Sequence, residues 1–441
     1  KGTVPEVDPE ETSLTTHVVK QVSAALRSER EIRRARDLNL RSRGVLLLGT
    51  AYPVLVVRDG DDWQKKVDPG VGDLIFDEVA DYDVSVEAAP GVDVFAPVRA
   101  AEDGGPEVTR RFSGNMLRDF VILAGRNLRM EQRDEGELRV RSIFFAEHER
   151  VGRRVLQNAA DAVRIFRSKF GPLPFKTITV AEAPLIAGLG STEFSGLDVI
   201  ASAFYVDFDA PAVRNLPEII REQQPSVEQS VEWTVARLIS HQWWGAVVGN
   251  NPAREPVLDE ALAAWSALLY FREMYGEQKA NTITDDQLRG VYRLYRTFGG
   301  ADMDADRASR EYYNSFQYSA VVTTKGALMF VHLQRILGEQ RLLAALRKFY
   351  EHNHGEISTL ADLRETIMAE TPAEQRRLVA RTFDRWLSSK RGDEDIATPD
   401  QELATSLGLR TKPTARGNDR NALGAFTKVG KFFWQQMTRI R

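Results

Sequence analysis

The side chains best placed to do chemistry sit in the run Arg237-Leu238-Ile239-Ser240-His241-Gln242-Trp243-Trp244-Gly245. Read as a helix, positions 237 and 241 are one turn apart and share a face. Two imidazoles at that spacing would chelate a divalent cation, and a carboxylate beside the first would take a proton from a bound water. Here only His241 is an imidazole. Position 237 is a guanidinium, which repels a cation, and position 238 is an apolar Leu.

The elements that must position this run are legible from pattern. At 441 residues with 43% hydrophobic content, the chain can bury a large core and should divide into two or three domains. Fifty-nine basic against 63 acidic residues leave a net charge of -4, a balance that creates no field for nucleic acid. No apolar run reaches the roughly 18 to 20 residues that span a bilayer. The absence of cysteine removes disulfides, thiolate metal sites and cysteine nucleophiles together. It also fits an exported bacterial protein, although many cytosolic proteins lack cysteine as well. Because the chain opens on Lys1, an upstream segment, either a signal peptide or a further domain, is expected.

Residues 1-43 read as a flexible lead-in followed by an amphipathic helix, with Leu14, Val18, Val22 and Leu26 at helical spacing. From Gly44 to residue 147 the texture is short aliphatic and β-branched runs broken by turn signals. Val45 to Leu48, Val54 to Val57, Tyr82 to Val86, Val92 to Val98, Phe120 to Ala124 and Leu138 to Phe145 read as strands of a mostly antiparallel β domain. Residues 148-390 are dominated by helical periodicity around one strand, Thr177 to Ala181. The expected helices are Val151 to Phe170, Ser226 to Val247, Pro256 to Tyr275, Asp285 to Tyr295 and Asp304 to Leu337. Residues 391-441 read as an extended tail ending in a basic amphipathic helix, Phe426 to Arg441. That helix could lie on an anionic membrane surface or pack on its own domain.

Eighteen residues separate His241 from Glu260, which lies in Leu258-Asp259-Glu260-Ala261-Leu262-Ala263. In this frame the chain resembles the membrane alanine aminopeptidase family, thermolysin-like glutamate-zincins whose site reads H-E-x-x-H, eighteen residues, then E. That family also places Gln-Trp-aromatic-Gly after the second histidine, as Gln242 to Gly245 do here. Phe170-Gly171-Pro172-Leu173-Pro174-Phe175 is similar to the entry into the family's peptidase-domain edge strand. Gly190-Ser191-Thr192-Glu193-Phe194 sits where the family has G-x-M-E-N, and Lys325-Gly326-Ala327 resembles the helix start that follows the family's transition-state tyrosine by two residues. The resemblance covers roughly Gly44 to Leu387. It implies an α+β chain, an antiparallel β domain followed by a thermolysin-like, helix-rich α/β peptidase-like domain.

The resemblance also implies roles. His241 and Glu260 stand at two of three zinc-ligand positions, with Arg237 at the third. Leu238 stands at the general base, Thr323 at the transition-state tyrosine, and Glu193 at the glutamate that binds a peptide's free amino group. Two ligands fall short of the three plus water of a catalytic zinc, and loss of a general base alone costs about 10² to 10⁴-fold. The expectation is therefore a pseudopeptidase without a cofactor, with no catalytic residue at Arg237, Leu238 or Thr323. It would serve as a structural or peptide-binding subunit with a protein or peptide partner, exported or membrane-associated. The alternative is a working zinc aminopeptidase whose metal is completed by an unforeseen ligand. In the leading reading, Arg237 bridges Glu260 in a bidentate pair with His241 alongside, standing in for the missing positive charge.

Other clusters are weaker. His352 and His354 read as solvated loop residues, and His148 could complete a metal site only if the fold turned it inward. Trp243 and Trp244 read as core. Asp302, Asp304 and Asp306 lack the glycine and distal Glu of an EF-hand loop and read as the start of a helix.

Overall fold

The computed structural model describes residues 3–27, 30–31, 35–59, 62–64, 70–73, 75–100, 109–211 and 224–406. Short alternating runs in the first 125 residues give small antiparallel sheets. One has the strand order Asn39–Ser42, Val45–Leu48, Ile122–Gly125, Asp93–Phe95. Its first hairpin pairs Ser42 with Val45 across two residues, Arg43 (φ 47°) and Gly44 (φ 77°). Positive φ at both central residues is what a tight hairpin with right-twisted strands requires. A second pair, Ala80–Glu87 with Thr109–Leu117, is also antiparallel.

A five-stranded mixed sheet follows, in the order Ser191–Thr192, Leu197–Ala201, Thr177–Ala183, Leu138–Phe145, Leu128–Glu135. Its three inner strands are parallel and its outer two antiparallel. Helix α2 (Glu149–Phe170) is the crossover between the parallel strands Leu138–Phe145 and Thr177–Ala183, as a parallel pairing demands. Val151, Val155, Ala159, Val163, Phe166 and Phe170 bury its apolar stripe, and Gly171 (φ 121°) with Pro172 ends it. Strand Leu138–Phe145, expected in the β domain, therefore belongs to the mixed sheet, which runs across the anticipated boundary at 147/148.

Further helices among the described residues are α3 (Gln224–His241), α4 (Val257–Tyr275), α5 (Glu277–Thr284), α6 (Gly290–Thr297), α7 (Ser315–Tyr318), α8 (Thr324–Leu337), α9 (Glu339–His352), α10 (Leu360–Ala369) and α11 (Ala373–Ser388), with two short ones after them. Helix α1 is Leu14–Arg27. Two turns, Asp285–Arg289 and Ser319–Thr323, are wound as π-helix. The chain is thus α+β, with β sheets first and a helix-rich domain after. Among the described residues no helix is long and apolar enough to cross a membrane.

Several sequence expectations need correction. Val54 to Val57 is not a strand; Leu55 is 88% exposed, so its apolar run reflects surface rather than sheet. The helix expected through Val247 stops at His241. Asp302, Asp304 and Asp306 do not start a helix. Their segment is irregular, with Asp302 accepting from Lys325 Nζ at 2.7 Å and Asp304 from Arg307. The lead-in is not loose: Val7 and Arg41 are joined through the backbone. Residues 391–406 are not extended either. Short helices Gly392–Asp395 and Gln401–Ser406 form there, and Gly392 N–H donates to Asp302. The segment Phe426 to Arg441 lies outside the described residues.

Candidate functional site

Helix α3 is buried on nearly every side: Trp233, Leu238, Ile239 and Ser240 are all inaccessible, and Arg237 is 2% exposed. It is tied to α4 by Ser240 Oγ, which donates to Ala263 O at 3.2 Å. It ends at His241 because the chain turns sharply there. His241 Nδ1 meets Trp244 O at 2.9 Å, and Gly245 follows at φ 126°, where a side chain would be strained. Trp243 donates its indole N–H to Gly171 O and Trp244 to Ser266 Oγ. Both are core residues, as their types suggested.

The tautomer follows from that turn. A carbonyl only accepts, so Nδ1 carries the hydrogen and the Nε2 lone pair points the other way. What it meets is Arg237 Nη1, at 3.3 Å. The same Nη1 donates to Glu260 Oε2 at 3.2 Å. A single guanidinium nitrogen thus stands between the imidazole and the carboxylate, not the bidentate pair expected from the residue types. The guanidinium and burial together hold His241 neutral by pushing its pKa far down, burial being the larger cause. Its 3.9 Å approach to Glu193 Oε1 is therefore not an ion pair. Burial raises Glu260, and Arg237 opposes that rise.

The wall opposite α3 is α8 and the π turn before it. Gly326 lets α8 close on α4, since a Cβ there would lie 2.5 Å from Ala261 Cβ. Thr323 Oγ1 consequently comes within 3.4 Å of Glu260 Oε2. Tyr318 bonds the same carboxylate. In a π turn residues five apart lie on one face, so Tyr318 and Thr323 converge. The sequence reading missed this phenol because it assumed uninterrupted α winding.

Glu193 follows strand Ser191–Thr192, and Gln242 locks its loop. Gln242 Oε1 accepts from Gly196 N–H at 2.7 Å, and its Nε2 donates to Phe194 O and Asp198 Oδ1. A cavity there is lined by Asp73, Asp119, Glu193, His241, Gln242 and Asp259, among others. Asp73 and Asp119 come from the β-rich part and were not foreseen. Asp119, fully buried and accepting from Ser195 N–H, is pushed up to about 8, burial being the main cause. Asp259 is raised well above the usual carboxylate range by burial and by Glu260. Arg118 does not neutralise the group directly. It spends its guanidinium on the carbonyls of Asp77, Gly245, Ala246, Val247 and Glu356, pinning the β-rich part to the turn after α3.

The other candidates lie elsewhere. His148 Nδ1 meets Glu182 Oε1 at 2.7 Å rather than Glu260. His352 and His354 are exposed.

Residues 218–386, which hold α3, α4 and the π turns, match the Peptidase family M1 domain. It is this segment that is similar to the M1 peptidase family. No curated protein sequence matches the chain. Among solved structures, the chain is similar to an M1 zinc metallopeptidase from Deinococcus radiodurans, at 17% identity over 69% of this chain and 62% of that one, TM-score 0.49. It is also similar to a mutant of that metallopeptidase, at 16% identity over 73% and 65%, TM-score 0.49. A mutant bound to a Tyr-Ser-Ala substrate gives 18% identity over 71% and 64%, TM-score 0.48. The chain spans just under two thirds of the length of each.

A catalytic zinc takes three protein ligands, and the donor set here does not fit it. Between His241 Nε2 and Glu260 Oε2 lies a cationic nitrogen. Among the described residues no group of three or more His, Asp and Glu side chains is arranged to hold a metal ion.

Proposed function

We propose that this M1 domain binds peptides or a protein partner without hydrolysing them and without zinc. The observation that carries the reading is the seat of Arg237 Nη1, within 3.3 Å of His241 Nε2 and 3.2 Å of Glu260 Oε2. A guanidinium there satisfies both groups, and it removes the lone pair that would have bound a cation. Leu238, fully buried beside it, has no atom that can take a proton, so position 238 supplies no base to activate water.

Binding chemistry survives where bond-breaking chemistry does not. Glu193 and Asp73 line the neighbouring cavity as carboxylates whose complement is an ammonium group, while burial holds Asp119 and Asp259 beside them toward the protonated form. The amino terminus of a peptide supplies one, with Glu193 as the receiving carboxylate.

Elemental analysis of purified protein, run alongside release of arylamine from an aminoacyl arylamide, tests the reading. The expected result is sub-stoichiometric zinc and no chelator-sensitive turnover. Stoichiometric zinc with turnover abolished by chelator would instead establish a zinc aminopeptidase with a rearranged site. Calorimetry with tri-alanine adds a binding arm: the free amino terminus should bind more tightly than its N-acetylated form, and equal affinities would remove Glu193 from the role.

A further inference from the structure

The amino-terminal segment does not end its work at the β sheets. It crosses to the two chain segments that wall the site. On one side Ala187 N–H donates to Glu11 O at 2.8 Å, Lys20 Nζ donates to Ala187 O at 2.9 Å, and His17 Nε2 lies 3.3 Å from Leu185 O. His17 is 1% exposed and stands edge-on to Phe204, ring centres 5.3 Å apart. Residues 185–187 lead directly into the loop that carries Glu193.

On the other side the chain reaches the start of α7. Glu31 N–H donates to Tyr313 O at 2.7 Å, and Arg30 donates to Arg310 O at 2.6 Å. The Glu31 carboxylate accepts from both the backbone N–H and the hydroxyl of Ser315, at 3.1 and 2.7 Å. Ser315 lines a second small cavity together with Arg237, Glu260, Tyr318 and Thr323. Into that side of the domain Arg237 brings Nε and Nη2, both buried and both without a hydrogen-bond partner. Helix α1, 14 residues and so about 21 Å long, packs against the Ser202–Phe204 turn and against α7.

We propose that residues 8–27, together with Arg30 and Glu31, are a built-in strap that holds the Glu193 wall and the Ser315–Thr323 wall together, and that a peptide reaches the site only when the strap is released. This rests on the peptide-binding reading above and adds its regulation. The fastenings suit a reversible closure. Apart from the packing of His17 on Phe204, they are single hydrogen bonds, two between backbone groups and the others made by side chains such as Lys20 and Glu31, and water can satisfy the same groups. A ligand that binds only the open form then has its affinity reduced by the fraction of molecules that are open.

The test uses the full chain and the double variant Lys20→Ala/Glu31→Ala, with Glu31→Ala alone as the milder form. Hydrogen exchange at residues 185–194 and 315–324 reads the strap. Association of tri-alanine with a free amino terminus reads the site. In the double variant exchange should accelerate in both segments and the association rate should rise about tenfold or more, with Glu31→Ala accelerating 315–324 first. If exchange accelerates but neither form binds peptide, the strap stands and the peptide reading fails. If exchange at 185–194 and the association rate both equal those of the unaltered chain, the strap is overturned. Should the double variant prove unfolded, unchanged exchange in Glu31→Ala at 315–324 overturns it equally.

Discussion

His241 donates its Nδ1 hydrogen to the carbonyl of Trp244 across 2.9 Å, and everything else at the site follows from which nitrogen that leaves free. The lone pair on Nε2 faces Arg237, so the imidazole acts as an acceptor in a buried row that ends on Glu260.

Removing the centre of that row leaves a buried carboxylate without its cation. Arg237→Ala should therefore destabilise the protein by about 3–5 kcal/mol, whereas Arg237→Leu combined with Glu260→Gln, which removes both charges, should cost far less. Urea denaturation of the two variants beside the unaltered protein decides it. Equal losses would mean the row contributes nothing as a unit.

Restoring a ligand should restore metal before it restores chemistry. With Arg237→His, two imidazoles one turn apart and Glu260 complete a three-ligand set. Zinc should then bind near one equivalent by elemental analysis, while arylamide turnover stays absent. Adding Leu238→Glu supplies the missing base, and only the combined variant should show chelator-sensitive turnover. A zinc-free Arg237→His protein would show that the backbone, and not residue 237 alone, has left the ligand geometry.

Asp119 sets a pH dependence whose sign is unusual for a carboxylate. Its folded value of about 8 lies above the ordinary 3.8, so the folded state holds the proton more tightly. The stability it gives is present below about pH 4 and is lost as pH rises toward 8. Asp119→Asn keeps an acceptor for Ser195 N–H without a charge. It should raise stability at pH 8.5 by about 2–5 kcal/mol and flatten the profile between pH 4 and 8. Thermal denaturation across that range measures it, and an unchanged slope would contradict the assignment.

Arg118 is the joint between the β-rich part and the turn after α3. Its fork addresses carbonyls from three separate stretches of chain, a geometry an ammonium cannot reproduce. Arg118→Lys should thus lose about 2 kcal/mol or more, and proteolysis of the native protein should become faster around residues 245–250. Cleavage as slow as in the unaltered protein would assign the joint to other contacts.

The sequence made the linear features readable and hid the folded-back ones. Arg237, His241 and Glu260 were visible because helical spacing and an eighteen-residue interval are properties of the chain itself. Glu193 and Gly326 were visible through the same frame. Asp73 and Asp119 were not, since each looks like an ordinary polar residue in a turn or strand end, and only tertiary packing carries them to the site. Tyr318 escaped for a different reason: periodicity at 3.6 residues places it and Thr323 about 140° apart, and a π turn erases that separation. Asp304 misled because an acidic run before an apolar one resembles a helix start, whereas here Arg307 takes up its carboxylate. Leu138–Phe145 was found with its bounds intact, yet assigned to the wrong sheet, because its pairing partner lies beyond a 22-residue helix.

The π turn at Ser319–Thr323 carries one residue more than an α turn of the same rise. A helix with such a turn can lose a single amino acid without breaking its axis. Deleting Val321 would let the segment relax to α winding and leave Tyr318 and Thr323 four residues apart, about 40° around the axis, so the phenol would stay on the side of Glu260 while α8 keeps its place on α4. Winding the uncut five-residue interval as α-helix would instead carry the ring about 140° away. The local winding, and not the identity of the ring alone, is thus the variable that sets whether this fold presents a hydroxyl-bearing ring to its central carboxylate.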